Sequence, residues 1–260
     1  MQLGLTKYYD KFSKEYHSPS QIIRRVTENW FKDNMYCPAC AGKALHEYET
    51  NEPVRDFYCE NCRQDFQLKG KRDSLGKRIL DGQYDTLMSS VKENSLPNFA
   101  FLVYHKTSLQ IRDLLLIPHY FITSSIIEKR KPLSSTAVRR GYVGCNILYR
   151  MLPERAKIYV VKDNAPIAKN AVVKNWADIS FVADFKNPDA RGWLSDILFC
   201  LDAIKKVELS LADFYAFEKY FQELHPENKH IRDKIRQQLQ ILRAKGIIEF
   251  LGKGVYRKKV

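Results

Sequence analysis

Two Cys-x-x-Cys pairs, Cys37 with Cys40 and Cys59 with Cys62, constrain the fold of this chain more than any other feature. The pairs are separated by 18 residues, a spacing typical of four-cysteine zinc sites. The turn within each pair lets two thiolates converge on one tetrahedral ion, so we predict a structural zinc site. Four reduced thiols that merely occur in pairs would not account for the shared spacing.

The second cysteine pair lies inside another pattern, in which Asp56 is followed by Gln67 and Lys69. Residues 54–58 and 66–68 read as two antiparallel strands joined by a turn that contains this cysteine pair. Residues two apart lie on one face of a strand, so Gln67 and Lys69 share a face that Asp56 can approach. The register of the hairpin can slip by one residue, and the sequence leaves that choice open.

These three residues have the chemistry of a metal-dependent nuclease. A carboxylate and an amide carbonyl oxygen suit Mg²⁺, which stabilises charge at a phosphodiester and lowers the pKa of a bound water. A lysine beside the ion can orient or deprotonate that water. We therefore interpret Asp56, Gln67 and Lys69 as candidate catalytic residues, with Asp56 and Gln67 as magnesium ligands. The bare pattern also fits ordinary solvated strand residues, since these residue types are common.

The rest of residues 1–183 reads as strands and helices of one domain. Three short, continuous apolar runs have the length and flanking turns of buried strands, at residues 99–104, 114–117 and 157–161. Helices are predicted at residues 18–33, from the spacing of the apolar residues, and at 81–91. We interpret Glu28, on the first helix, as a solvated charge rather than a further carboxylate near the metal.

A long polar segment, residues 128–146, interrupts this pattern. Polar segments of this length inside a compact domain are often functional. Arg139, Arg140 and Tyr142 combine guanidinium groups with an aromatic ring, a mixture that contacts phosphate and packs against a base. A solvated loop anchored by one tyrosine explains the segment equally well.

Residues 184–260 change in character and predict a winged helix. Three helices are predicted at residues 193–204, at 211–224 after a Ser210 cap, and after an Asn228 cap up to Gly246, followed by a β-hairpin. The third helix has one apolar face, and its other face makes it the candidate recognition helix. Its candidate DNA-binding residues are Lys229, His230, Arg232, Arg236 and Gln237.

The charge of the chain agrees with a nucleic-acid partner. The net charge is +13 and the isoelectric point about 9.4. Residues 229–260 contain ten Lys or Arg and two acidic residues, so they carry +8 of that charge. Such a patch would contact phosphates. A winged helix used for protein contacts is the alternative.

The remaining sequence features bear on the setting of the protein. Cys145 and Cys200 are isolated, so no disulfide is needed and a reducing, cytoplasmic setting is expected. Residues 1–16 are charged and aromatic rather than apolar, unlike a signal peptide. No apolar run approaches the length of a membrane span, so we expect no membrane partner. We expect a monomer in solution.

The chain resembles the methyl-directed restriction endonucleases of the DpnI type over both domains. The matching segments are TENW, YCPAC, NEPVRDFYCENCRQDFQLKGK, LPNF, KPLSSTAVRRGYVGCNI, RGW and HIRDKIRQQLQILRAKGIIEF. These segments are far more specific than any single motif above.

The resemblance implies an α/β fold, a restriction-endonuclease-like mixed sheet flanked by helices, with a C-terminal winged-helix domain. It implies hydrolysis of both strands of double-stranded DNA at GATC sites that contain N6-methyladenine, with Mg²⁺ as the catalytic and Zn²⁺ as the structural metal. Asp56 then corresponds to the metal-binding aspartate, Lys69 to the catalytic lysine and the four paired cysteines to the zinc ligands. Tyr142 falls in the loop associated with reading the methylated adenine.

The chain departs from the family pattern at two of these positions. Gln67 stands where the family has an acidic residue, which predicts weaker metal binding, a higher Mg²⁺ requirement, a preference for Mn²⁺ or slow cleavage. Tyr142 stands where the family has a tryptophan, and it can still stack and bury a methyl group. The alternative is a methyl-DNA reader whose nuclease centre has been weakened or lost. A transcriptional regulator with an unrelated sensor domain is a third hypothesis.

Overall fold

A mixed sheet is the centre of the amino-terminal domain. The computed structural model describes residues 1–43, 45–49 and 54–259. The strands up to residue 166 are β1 His46–Glu47, β2 Phe57–Tyr58, β3 Asp65–Arg72, β4 Ile79–Gln83, β5 Asn98–Tyr104, β6 Ile111–Ile117, β7 Ile127–Lys129, β8 Gly144–Ile147, β9 Ile158–Lys162 and β10 Ala165–Pro166. In the described residues the central sheet has seven strands in the order β1-β2-β3-β5-β6-β9-β10. Only β3 and β5 are parallel neighbours within it.

The central strands β5 and β6 confirm the strands predicted from continuous apolar runs. Residues from Phe99 to Val103 are fully buried, and so are those from Leu114 to Ile117. Strands that are buried on both faces need apolar side chains at every position, and this explains why no alternation is seen. The predicted strand at residues 157–161 is β9. Pro53, just before the predicted hairpin, lies outside the described residues.

The described part of this domain has four helices: α1 Thr6–Glu15, α2 Pro19–Asn34, α3 Tyr84–Glu93 and α4 Lys169–Ile179. Helices α2 and α4 pack on the central sheet, whereas α1 packs on α2 and α3 on β4. Helix α2 matches the helix predicted at residues 18–33 and buries Ile22, Val26 and Trp30. Between α4 and the next domain, Ser180–Asp184 form a 3-10 turn.

A second, smaller sheet lies beside the first and has the strand order β4-β8-β7. Residues 130–143 join β7 to β8, within the polar segment singled out above. The helix predicted at residues 81–91 was placed three residues too early, because Asp81 lies in β4 and pairs with Cys145 of β8. Gly82 is a poor helix former, and cross-strand pairing outweighs the weak helical propensity there.

The carboxyl-terminal domain is a winged helix, as predicted. Its elements are α5 Pro188–Ala203, β11 Glu208–Ser210, α6 Leu211–Tyr215, α7 Glu218–Leu224, α8 Ile231–Ala244, β12 Ile248–Gly252 and β13 Val255–Lys258. Ser210 and Asp213 form the predicted capping box. The strands form one sheet in the order β11-β13-β12. The apolar face of α8 is buried through Ile231, Ile235, Leu239 and Leu242.

Three details of this domain differ from the prediction. Helix α5 begins at Pro188, five residues before the predicted start at residue 193. The helix predicted at residues 211–224 is divided into α6 and α7, with the fully buried Phe214 and Phe221 on either side of the turn. Periodicity does not reveal such a turn, because both segments keep an apolar face. Asn228 does not cap α8; its side-chain oxygen accepts a 2.8 Å bond from the backbone N–H of His230, which is the N-cap.

A hydrogen bond from Ser125 to Asp196 joins the two domains, and contacts within the carboxyl-terminal domain hold Asp196 in place. The Oδ2 atom of Asp196 on α5 lies 2.9 Å from Nε2 of His225, and Ser125 donates to its other oxygen at 3.3 Å. Trp193 stacks on His225 with ring centroids 3.9 Å apart. We propose the domain boundary between residues 183 and 184, within the 3-10 turn that precedes α5. None of the helices in the described ranges has the length and apolar character required to span a bilayer.

Candidate active site and DNA-binding surfaces

The β2–β3 hairpin fixes how Asp56 meets the second strand. Phe57 pairs with Phe66, which places Asp56 opposite Gln67. The backbone N–H of Asp56 donates to the carbonyl of Phe66 at 3.0 Å. Its carboxylate Oδ2 accepts a 2.7 Å bond from the backbone N–H of Leu68. Of the two registers that the sequence left open, the structure therefore has the one that pairs Asp56 with Gln67.

Asp56, Gln67 and Lys69 meet in a cleft between this hairpin and helix α2. The cleft has a volume of about 550 Å³. Its lining residues are Ser20, Ile23, Arg24, Thr27, Glu28, Val54, Asp56, Gln67, Leu68, Lys69 and Gly70. The three residues singled out from the sequence thus line one cavity, which is large enough for a phosphodiester and an ion.

The donor atoms of this cleft fit a divalent cation. The side-chain oxygen Oε1 of Gln67 is buried and has no hydrogen-bond partner among the described residues. A buried carbonyl oxygen without a partner is costly, and a hard cation would satisfy it. Burial raises the pKa of Asp56; the hydrogen bond from Leu68 opposes this effect, and the nearby Glu28 adds to it. A cation would relieve the cost of burying this carboxylate.

Glu28 is not the solvated charge that we expected. It is 6% exposed and lines the cleft. Its two carboxylate oxygens accept bonds from Arg24 at 2.7 Å and Arg25 at 3.0 Å. The ion pairs, which have helical i,i+4 and i,i+3 spacing, compensate its burial. The burial itself could not be foreseen from the helical position, because it depends on how the hairpin packs against α2.

Lys69 has a partner that sequence reasoning missed. Its ammonium group forms an ion pair with Oδ1 of Asp81 on β4, a strand of the other sheet. No spacing rule connects these two residues, because the contact depends on how the sheets pack. Lys71, two residues further along the same face, has a lowered pKa because of burial and of repulsion by Lys69.

The four paired cysteines form a compact cluster. Their sulfur atoms all lie within 4.8 Å of one another, with Cys37 and Cys62 at 3.4 Å and Cys40 and Cys59 at 3.5 Å. The sulfurs of a tetrahedral Zn–thiolate site are separated by about 3.8 Å, so the cluster could hold zinc. Burial raises the pKa of the Cys62 thiol to about 11, a cost that zinc coordination offsets.

The cluster supports the candidate active site directly. Cys59 and Cys62 lie in the turn between β2 and β3, so they close the hairpin that carries Asp56 and Gln67. On its other side, Lys169 at the start of α4 donates to the carbonyl of Ala41 at 2.9 Å. A zinc ion here would hold the hairpin against the body of the domain.

The predicted DNA-contacting loop lies beside β4. Arg139 and Arg140 are exposed and Tyr142 is half-buried. Arg139 lies over the Tyr142 ring, 5.8 Å from its centroid. The backbone N–H of Leu133 donates to the carbonyl of Tyr142 at 3.0 Å, which closes the loop. The loop joins β7 to β8, and β8 pairs with β4, so the loop belongs to the same small sheet as Asp81.

The residues predicted to bind DNA from the third helix lie on the other domain and are all exposed. They are Lys229, His230, Arg232, Arg236 and Gln237. Two of them already have partners, since Arg232 pairs with Glu218 at 2.9 Å and Arg236 donates to the hydroxyl of Tyr215 at 2.8 Å. Lys229, His230 and Gln237 line a surface pocket of about 530 Å³ at the start of α8.

Comparison with known protein families gives two matches that together cover most of the chain. A family model described as DpnI, Dam-replacing family, matches residues 5–185. A second, described as DpnI_C, Dam-replacing HTH domain, matches residues 189–258. The first match alone spans more than half of the 260 residues.

Proposed function

The chain belongs to the DpnI, or Dam-replacing, family, and from this premise we propose that it is a methyl-directed type II restriction endonuclease. Membership of the family implies a restriction endonuclease, and the second match implies DNA binding through a helix-turn-helix domain. The proposed substrate is double-stranded DNA with N6-methyladenine in GATC sites. The proposed reaction is Mg²⁺-dependent hydrolysis of a phosphodiester in each strand.

One observation carries this proposal: a carboxylate, an unpartnered amide oxygen and an ammonium group line one cleft. Asp56 and Gln67 face each other across the hairpin, and Lys69 follows on the same strand face. A purely structural site would satisfy the buried Gln67 oxygen from within the protein. The donor set instead fits a divalent cation.

Each residue has a separate role in the proposed mechanism. Asp56 and Gln67 would hold the cation, which supplies charge stabilisation at the scissile phosphodiester when bound. The Leu68 N–H fixes the Asp56 carboxylate so that it does not reorganise during the reaction. Lys69 would orient the attacking water and donate to the phosphate as negative charge develops.

Methyl recognition is assigned to Tyr142 and to the winged helix. One methyl group buried against an aromatic ring contributes about 0.8 kcal/mol. A fully methylated site has two methyl groups, one on each strand. Reading by two domains multiplies the preference for methylated over unmethylated DNA. Arg139 and Arg140 would hold phosphates beside Tyr142, and Lys229 and Gln237 would contact the DNA from α8.

A methyl-DNA reader without nuclease activity is the second candidate, and Gln67 is the observation that favours it. The amide supplies an oxygen but no negative charge, so the cation site has one formal charge less than a pair of carboxylates. The carboxylate of Asp56 and the ammonium group of Lys69 favour the nuclease. Both candidates require the same DNA and differ only in cleavage.

The test compares cleavage with binding. A duplex with one fully methylated GATC site is incubated with wild type, Asp56→Asn and Lys69→Met in Mg²⁺, and binding is measured in Ca²⁺. We expect wild type to cut, and both variants to bind with similar affinity but to cut at least about 10²-fold more slowly. Asp10→Asn, an exposed carboxylate on α1, is the matched control and should cut normally. Binding without cutting by wild type would establish the reader instead.

A further inference from the structure

Lys69 is held from outside the cleft. Its partner Asp81 lies on β4 of the small sheet and is absent from the cleft lining. The Asp81 side chain is 9% exposed and that of Lys69 is 18% exposed. An ion pair this shielded from water restrains a flexible lysine far more than a surface pair does.

The Asp81 carboxylate is itself fixed. Its Oδ1 accepts a 2.7 Å bond from the backbone N–H of Gly82, in addition to the contact with Lys69. The register of β4 against β8 shifts between Asp81 and Gln83, so Gly82 is the extra residue of a bulge. Bulges re-aim side chains next to active sites. The other oxygen, Oδ2, is buried without a partner among the described residues, a cost that stability alone does not explain.

The bulge also touches the loop that carries Tyr142. Asp81 pairs with Cys145, whose thiol lies 3.4 Å from the carbonyl oxygen of Gly82. At Gly144, which follows the loop, an added Cβ would lie 3.4 Å from the Tyr142 ring and 3.6 Å from that same carbonyl. Gly144 therefore lies close to both the Tyr142 ring and the Gly82 carbonyl, and β8 connects the loop to Asp81.

We propose that Asp81 is a positioning residue, which sets the place of Lys69 in the cleft and connects it through the β4–β8 bulge to the loop of Tyr142. This inference rests on the proposed nuclease function. Asp81 does not contact the substrate; it acts through Lys69. Through this ion pair and the β4–β8 pairing, the position of the Tyr142 loop would bear on the position of Lys69.

The test is a double-mutant cycle on single-turnover cleavage of the methylated duplex. Asp81→Asn keeps the size of the side chain and one acceptor oxygen but removes the charge. We expect it to lower the cleavage rate about 10- to 100-fold, because a catalytic group displaced by about 1 Å loses that much. DNA affinity in Ca²⁺ should stay within about twofold, since the loss is confined to the transition state. Asp81→Glu should recover part of the rate.

The cycle separates positioning from general stability. In a Lys69→Met background, Asp81→Asn should cause no further loss of cleavage. Glu128→Gln changes a carboxylate on β7 of the same sheet that pairs with Arg78, not with Lys69, and should leave the rate unchanged. Equal losses from Asp81→Asn with and without Lys69, or no loss at all, would overturn the proposal.

A second cycle uses the same four proteins without cleavage. Thermal unfolding of wild type, each single variant and the double variant measures the coupling between Asp81 and Lys69 directly. We expect the double variant to lose less in Tm than the sum of the two single losses. Additive losses in Tm would overturn the proposal. This test remains usable where the residual cleavage of the variants is too slow to measure. If wild type fails to cut but the coupling is present, the nuclease function fails while the ion pair stands.

Discussion

The carboxylate of Asp56 accepts a 2.7 Å hydrogen bond from the backbone N–H of Leu68, the residue between Gln67 and Lys69. This contact joins the two strands of the hairpin next to the candidate metal ligands Asp56 and Gln67. A slip of one residue would turn the Gln67 side chain to the opposite face of the sheet and away from the cleft. The candidate metal site therefore depends on one backbone register.

Restoring a carboxylate at position 67 should strengthen the cation site. In Gln67→Glu, a charged oxygen replaces the neutral Gln67 Oε1 opposite Asp56, so Mg²⁺ should bind more tightly. We expect the Mg²⁺ concentration for half-maximal cleavage to fall about tenfold and the advantage of Mn²⁺ over Mg²⁺ to shrink. Initial cleavage rates across a titration of each metal measure both quantities.

Gln67→Leu is the matched control because it keeps the approximate size of the side chain without an oxygen. It should fold normally but require the most metal or fail to cut. A Gln67→Leu protein with the wild-type metal requirement would show that Gln67 is not a ligand.

The raised pKa of Asp56 predicts a stability effect that depends on pH. The folded protein binds this proton more tightly than the unfolded chain, where the pKa is near 3.8. The carboxyl group therefore favours folding at low pH, and this contribution is lost as the pH rises through the raised pKa. In Mg²⁺-free buffer that retains zinc, Asp56→Asn should have a higher Tm than wild type at neutral pH.

The gain in Tm should shrink as the pH falls through the raised pKa, and it should vanish below about 3.8, where the wild-type carboxyl is neutral in both states. Added Mg²⁺ should stabilise wild type but not Asp56→Asn, because only the former binds it. If the difference in Tm between Asp56→Asn and wild type were the same at neutral and at low pH, it would contradict a cost of burying the Asp56 charge.

The zinc site should be necessary for the active-site hairpin. Cys59→Ser removes one ligand from the turn between the strands that carry Asp56 and Gln67. We expect loss of bound zinc, a loss of several kcal/mol in the free energy of unfolding, and loss of cleavage. Metal analysis, thermal unfolding and digestion check the three effects.

Cys200→Ala is the control for this experiment, since it removes a buried thiol from α5 rather than from the cluster. It should keep its zinc and its cleavage activity. Full zinc occupancy in Cys59→Ser would contradict the four-cysteine site.

Tyr142 should account for part of the preference for methylated DNA. Replacement by alanine removes the ring against which a methyl group would pack, a contribution of about 0.8 kcal/mol, or about fourfold per contact. The ratio of cleavage rates on methylated and unmethylated duplexes should fall by at least that factor in Tyr142→Ala. Tyr142→Phe keeps the ring and should keep the ratio. An unchanged ratio of cleavage rates in Tyr142→Ala would show that Tyr142 takes no part in methyl recognition.

Lys229 should contribute affinity without sequence preference. It is exposed at the start of α8, where a contact to one phosphate releases one counterion. In Lys229→Ala, the slope of log affinity against log salt concentration should decrease by about 1. Lys174→Ala, which removes an exposed lysine of α4 that pairs with Asp178, should leave the slope unchanged. Equal slopes for Lys229→Ala and wild type would show that Lys229 does not contact a DNA phosphate.

The features predictable from sequence were those encoded by local spacing. Two cysteine pairs at a fixed separation indicated the cluster, and the alternation along residues 66–69 put Gln67 and Lys69 on one strand face. The apolar face of α8 followed from the recurrence of Ile231, Ile235 and Leu239. In each case neighbouring residues impose the geometry, so one sequence is sufficient.

The features that escaped sequence reasoning depend on how distant elements pack. Asp81 was assigned to a helix because its local pattern is helical, whereas pairing with β8 makes it a strand. Its contact with Lys69 joins the two sheets of the domain. The periodicity of the sequence cannot predict a contact between sheets. Glu28 was interpreted as solvated because its position on α2 does not reveal that the hairpin packs over it.

The most direct test of the account is digestion of one plasmid prepared with and without adenine methylation at GATC. Each form is incubated with the wild-type protein in Mg²⁺ and, separately, in Mn²⁺. The account predicts that only the methylated plasmid is cut at its GATC sites, with Gln67 making Mn²⁺ at least as effective as Mg²⁺. Equal cutting of both forms would contradict methyl dependence, and no cutting of either in both metals would contradict the nuclease.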